Sequence, residues 1–122
     1  MGRAIYQVRL KIKPEDEREF NEWYEGTYIP KLMREVPHFT AVRRYVGEIV
    51  RSWTPGDASS PSPDGEQIFV TDYETTTEDM ALAIAEMRLP ERAEINAEFY
   101  RRRDQSITLH ESIQLHEELH IP

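Results

Sequence analysis

From Ala4 to Ile12 the even positions Ala4, Tyr6, Val8, Leu10 and Ile12 are apolar, while Gln7, Arg9 and Lys11 are polar. A period of two predicts a strand with one buried face. Pro14 and the run Glu15-Asp16-Glu17 then open a helix, because proline fits the first turn and carboxylates suit its positive end. Phe20, Trp23, Tyr24 and Tyr28 share one helical face. Pro30 is expected to interrupt that helix, with Lys31 to Val36 forming a second short turn closed by Pro37. Phe39 to Val50, rich in β-branched and aromatic residues, predicts a second strand, and Gln67 to Glu74 a third. Thr75 with Glu78, or Thr76 with Asp79, offers a cap for a helix bearing Met80, Ala83, Ile84 and Met87. Pro90 kinks or restarts it, and Ala93, Ala97 and Tyr100 carry its apolar face onward. Ser106 to Leu115 predicts the last strand.

The order β-α-β-β-α-β implies an α+β, ferredoxin-like fold: a four-stranded antiparallel sheet with two crossovers on one face. The other face must then meet solvent or a partner. On the last strand Ile107, Leu109, Ile113 and Leu115 are odd, and Thr108, His110, Ser112, Gln114 and His116 are even. If the odd residues meet the helices, His110 joins Gln7, Arg9 and Lys11 on the uncovered face. A polar face of that kind suggests a wet cavity between two facing sheets.

Composition narrows the classes. The chain has 122 residues, no cysteine and a net charge of −8. That length suits one domain, residues 1–122, with a Pro/Gly/Ser-rich loop at 51–66 and a C-terminal tail from about 116. Disulfide scaffolds, thiol nucleophiles and cysteine-ligated metals are excluded. The acidic balance removes the counterion release that drives nucleic-acid binding, and Arg101-Arg102-Arg103 fits a solvated helix end. Apolar runs are too short for a membrane span and the N-terminus lacks a signal-peptide core, so the expectation is a cytoplasmic protein with no membrane or nucleic-acid partner.

Trp23-Tyr24-Glu25-Gly26-Thr27-Tyr28-Ile29-Pro30, Val36-Pro37-His38-Phe39 and Ala41-Val42-Arg43-Arg44-Tyr45 resemble the EthD-like branch of the dimeric α/β-barrel superfamily. The family pattern is Trp-Tyr, three residues, His, a hydrophobic residue and Pro, followed by a Pro-Gly-Phe turn and an Ala-x-Arg-Arg-Tyr/Phe strand. Tyr28 stands where the family usually has His, and His38 replaces the Gly after Pro37. The resemblance implies a homodimer whose sheets pair into a barrel around a cavity. It also implies chemistries such as cofactor-free oxidation, cyclisation, isomerisation, dehydration or haem turnover, alongside accessory proteins with no assigned reaction.

His110 and His38 are candidate acid/base groups, since an imidazole titrates near neutral pH. Tyr28 is a candidate proton donor to a carbonyl oxygen. Arg9 is a candidate for holding developing negative charge. Trp23, Tyr45, Tyr73 and Trp53, the last in the 51–66 loop as a lid or partner contact, are candidate substrate-binding residues. Each has a structural alternative in core packing, a satisfied wall position or a solvated turn. His116-Glu117-Glu118-Leu119-His120 matches the His-Glu-x-x-His zinc pattern. On a helix its imidazoles would sit one turn apart, on a strand roughly 13 Å apart. A third ligand is not evident, so the expectation is a non-catalytic tail, with no metal and no cofactor.

Three functions follow. The first is a small cofactor-free enzyme of lyase, cyclase or isomerase type acting on a hydrophobic, oxygenated small molecule. The second is a non-catalytic small-molecule-binding or accessory protein of a catabolic or biosynthetic cluster. The third is a cofactor-free monooxygenase or haem binder.

Overall fold

The computed structural model describes residues 2–49, 66–116 and 119. Strand β1 spans Arg3–Ile12, β2 Ala41–Ile49, β3 Glu66–Thr76 and β4 Ile107–Leu115. They form one four-stranded sheet in the order β2-β3-β1-β4, every neighbouring pair antiparallel. That is the ferredoxin-like α+β plan expected from the order of elements. The proline- and serine-rich loop around Trp53 lies outside the described residues, as does His120 of the His-Glu-x-x-His match.

Helix α1 spans Glu17–Trp23 and α2 spans Ile29–Glu35. Pro30 does not break the chain between them, contrary to expectation. Tyr24–Tyr28 forms a π-helical turn in which the Ile29 N–H donates to the Tyr24 carbonyl, and the residues at both joins keep helical dihedrals. A proline ring collides with the carbonyl four residues earlier, and a wider turn just before it relieves that collision. The helix ends at Glu35, and Val36 leaves the helical region at φ −116° and ψ 89°, as the residue before a proline prefers.

Helix α3 spans Met80–Met87, and α4 spans Ala93–Ser106 after a 3-10 turn that restarts the chain at Pro90. Neither expected cap forms at α3, whose N-cap is Asp79 with no side-chain cap bond; the Asp79 N–H instead donates to Thr76 Oγ1 at 3.2 Å and closes the turn before the helix. Arg92, 7% exposed, ties the layers together. Its guanidinium donates to the Glu35 carbonyl at 2.6 Å and approaches Glu86 at 3.4 Å, answering an orphan carbonyl at the end of α2.

The core lies between the helices and one sheet face. It holds Val8, Leu10 and Ile12 of β1, with Phe20, Tyr24, Leu32, Val36, Tyr73, Ala83, Ile95 and Phe99. The even residues of β1 face inward as the alternation predicts. On β3 the inward set is odd: Tyr73 pairs with Tyr6 and Thr71 with Val8.

On β4 the predicted faces are reversed, and a bulge is the reason. Ile107 pairs with Ile12, but Leu109 pairs with Lys11, so Thr108 is an extra residue opposite that step. An inserted residue flips every side chain beyond it to the other face. Ile107 keeps its expected place against the core. Beyond the bulge, His110 pairs with Leu10, Ser112 with Val8 and Gln114 with Tyr6, all on the helix side. Leu109, Glu111, Ile113 and Leu115 take the uncovered face beside Lys11, Arg9, Gln7 and Ile5.

Candidate functional site

Between the helix layer and the sheet a cavity of roughly 100 Å³ opens to the surface. Its sheet wall is Tyr6 and Val8 of β1, Tyr73 of β3 and His110 of β4. Tyr24, Tyr28 and Leu32 close it from the first helical rod, and Phe99 from α4. Met87, Arg88, Asn96 and Tyr100 stand around it from the α3–α4 side, where the exposed Tyr100 and Arg88 mark the mouth. The volume is below the ~150 Å³ apolar cavity that admits benzene, so the cleft as it stands does not enclose a whole aromatic ring. A larger open recess of about 500 Å³ lies along α4, lined by Lys31, Glu91, Glu94, Glu98 and Arg101. Its lining is mostly charged side chains around the buried Ile95.

Aromatic rings build the cavity walls. Tyr28 stacks on Tyr24 with centroids 5.1 Å apart and touches Phe99 at 5.2 Å. His110 meets the other side of this cluster, edge to Phe99 at 5.4 Å. Phe99 is therefore a wall shared by the phenol of Tyr28 and the imidazole of His110. The Tyr24 and Tyr73 hydroxyls are hydrogen-bonded at 3.1 Å in the buried floor. The Tyr6 hydroxyl donates to Ser112 Oγ at 3.2 Å.

Burial divides these groups into donors and one acceptor. Burial pushes the phenols of Tyr24, Tyr28 and Tyr73 above their ordinary 10.0, and for Tyr28 the neighbouring Tyr24 adds to the effect. All three stay protonated at any physiological pH and serve as donors. Burial lowers the His110 pKa from its ordinary 6.5, with the Arg103 cation adding to it. The imidazole is thus largely neutral at pH 7, and it makes no hydrogen bond to another described residue. A half-buried neutral imidazole with a free lone pair can accept a proton.

The sequence candidates divide accordingly. Tyr28, Tyr73 and His110 come together at the cavity. Trp23 lies behind Tyr28, at 5.5 Å, with Arg102 4.7 Å over its ring, and does not line the cleft. His38 occupies the turn before β2, away from the lining, with a buried Nδ1 that lacks a partner among the described residues. Arg9 and Tyr45 are on the uncovered face. Arg9 Nε donates to Gln7 Oε1 at 2.7 Å, so the sheet itself separates it from His110 within one chain. The proposed pairing of Arg9 with His110 is overturned by the Thr108 bulge.

Sequence reasoning missed Tyr6, Phe99, Asn96 and Arg88 as lining residues. Tyr6 carried a usable signal: it sits on the inward parity of β1, opposite Tyr73. Phe99 follows Ile95 by four residues on the α4 core face, a helical spacing that marks both as inward.

No helix among the described residues is long and apolar enough to cross a membrane. No family model matches the sequence, and no curated protein matches it. Among solved structures it is similar to an ethyl tert-butyl ether D (EthD) family protein from Bacillus halodurans C-125. The two share 21% identity and a TM-score of 0.52, over 94% of this chain and 99% of the other. That likeness shows a common fold along nearly the whole length of both chains.

Proposed function

We propose that this protein is a small EthD-like enzyme that uses its own side chains for acid/base chemistry on a hydrophobic, oxygenated small molecule, with the site between sheet and helices. One observation carries the proposal: His110, unpaired among the described residues and with burial pushing its pKa down, shares the Phe99 wall with the phenol of Tyr28, whose pKa burial pushes up. A ligand ring slotted beside Phe99 brings a carbonyl or phenolic oxygen to Tyr28. His110 removes a proton from the adjacent carbon or hydroxyl as negative charge builds on that oxygen, and the Tyr28 O–H stabilises the charge. Proton movement of this kind underlies lyase, cyclase and isomerase steps.

The uncovered face supports a homodimer in this reading. Ile5, Leu109, Ile113, Leu115, Val70 and Tyr45 lie on it, with Tyr45 51% and Ile113 39% exposed. Apolar side chains gathered on an open sheet are covered most economically by a second copy of the same face. Each protomer then holds its own cleft.

Phenylacetone, one ring beside an acidic CH₂ and a ketone, is a direct probe. In D₂O the protein is expected to accelerate exchange of those hydrogens, read by proton NMR. His110→Asn should bind the ketone and lose the acceleration. Binding by the unaltered protein without any acceleration would instead establish the accessory, ligand-binding reading.

A further inference from the structure

Four of the five arginines on α3, α4 and the turn between them are paired. Arg92 reaches Glu35 and Glu86, Arg101 and Arg102 reach Glu98, and Arg103 reaches Asp104. Arg88 is the exception. Its side chain makes no hydrogen bond and no ion pair with any described residue, and it stands at the mouth of the cleft. Its backbone is nonetheless fixed from two helices. The Arg88 N–H donates to the Ala85 carbonyl at 3.1 Å, and Asn96 Nδ2 of α4 donates to the adjoining Met87 carbonyl at 2.7 Å. A permanent cation on a fixed root, with five N–H donors in a planar fork, matches a carboxylate.

The charge around this mouth has one sign. The sequence carries 23 Asp and Glu against 15 Lys and Arg, so the chain as a whole repels anions. Yet no carboxylate among the described residues lines the cleft. Arg103 adds a second cation beside it, 4.6 Å over the ring of Tyr100 and close enough to His110 to act on that imidazole. Because the cleft does not enclose a whole ring, a ring-sized ligand leaves part of itself outside, next to Tyr100 and Arg88.

We propose that Arg88 is a specificity-determining residue and that the ligand of the cleft is a carboxylic acid: a ring-bearing ketone or phenol whose carboxylate stays at the mouth against the Arg88 guanidinium. The proposal rests on the cleft being the ligand site, and it adds an anionic group to the hydrophobic, oxygenated molecule already described. Arg88 holds the end of the ligand that remains outside, while Tyr28 and His110 meet the end that enters. Its loss therefore weakens binding of the acid and spares a neutral ligand of the same shape.

The test compares 4-(2-oxopropyl)benzoate with 4-(2-oxopropyl)benzamide, which match in shape and differ in charge. Dissociation constants are measured by titration calorimetry at low ionic strength and pH 7, where the acid is ionised. Both probes should move the His110 imidazole resonance, which places them in the cleft. The acid is expected to bind about fivefold more tightly, the ratio that one well-aligned exposed ion pair supports, and added salt should shrink that ratio. Arg88→Gln should bring the ratio to about one by weakening the acid alone, and Arg88→Lys should restore part of it, since the charge returns without the fork. Arg18→Gln removes the same charge at a 92% exposed site outside the lining and should leave the ratio unchanged. Equal binding of acid and amide by the unaltered protein would overturn the proposal while leaving the cleft as a ligand site. A preference that survives Arg88→Gln, or that Arg18→Gln abolishes equally, would also overturn it. Failure of both probes to bind would remove the cleft reading and this proposal with it.

Discussion

The two faces of the sheet use the same four strands to opposite ends. On the helix side, Tyr6, Thr71, Tyr73 and His110 carry polar atoms into a mostly apolar layer, each near aromatic rings or a hydrogen-bond partner. On the uncovered side, Gln7 donates to Asp72 at 2.8 Å and Arg43 to Glu74 at 2.8 Å, while Ile5, Ile113 and Leu115 line up at the β1–β4 edge. One face buries chemistry among rings, and the other presents aliphatic groups between solvated ion pairs. A cleft that shifts pKa values needs the first arrangement, because desolvation holds the phenols protonated and the imidazole neutral. A self-complementary contact needs the second.

The sharpest way to break the contrast is to truncate its shared wall. Phe99 touches Phe20, Tyr24, Tyr28, Tyr100 and His110. Phe99→Ala should cost about 3–5 kcal/mol in urea unfolding. Tyr45→Ala, half exposed on the other face, should cost far less in the protomer. A loss of similar size at both positions would erase the distinction.

Tyr73→Phe comes next. It leaves the buried Tyr24 hydroxyl short of a partner, for an expected cost of about 1–3 kcal/mol by chemical denaturation. Tyr45→Phe should be silent in the same assay, because its ring faces the open side of the sheet.

A smaller effect is expected from pH. The folded His110 pKa lies below 6.5, so the unfolded chain takes up its proton first as pH falls. Stability from this residue is complete above about 6.5 and is lost as pH drops from there through the folded value. Comparing the pH dependence of stability with that of His110→Gln isolates it. A difference that grows as pH rises above 7 would have the wrong sign.

The least effect on the chain itself is expected from Ile113→Lys, within about 0.5 kcal/mol of protomer stability. The same change should convert a dimer into a monomer in analytical ultracentrifugation. Unchanged assembly would remove the uncovered face as the contact.

How much of this was legible beforehand depends on what each signal rests upon. The β1 alternation, the Pro14 opening and the Pro90 restart are local, and the structure follows them. The π-turn before Pro30 was not legible, because a proline announces a collision but not which neighbour yields. The β4 faces were misread for a similar reason. Ile107, Leu109, Ile113 and Leu115 alternate as a buried strand should, and only pairing with Lys11 and Ile12 exposes Thr108 as an extra residue. That single residue moved His110 from beside Arg9 to beside Phe99. The cleft residues Tyr28, Tyr73 and His110 were identifiable by type, whereas their company was not, since it depends on α4 placing Phe99 beside them. Arg44 belonged to the Ala41–Tyr45 match, but its bonds to Thr71, Asn21 and Glu25 emerge only from the fold.

The central claim is that His110 occupies the helix-side cleft as a partly desolvated base. A proton NMR titration of its imidazole, assigned by comparison with His110→Gln, tests this most directly. The account predicts a pKa below 6.5 and a resonance that moves when 4-nitrotoluene is added. A pKa at or above 6.5 with a resonance indifferent to the ligand would put His110 in solvent and contradict the account.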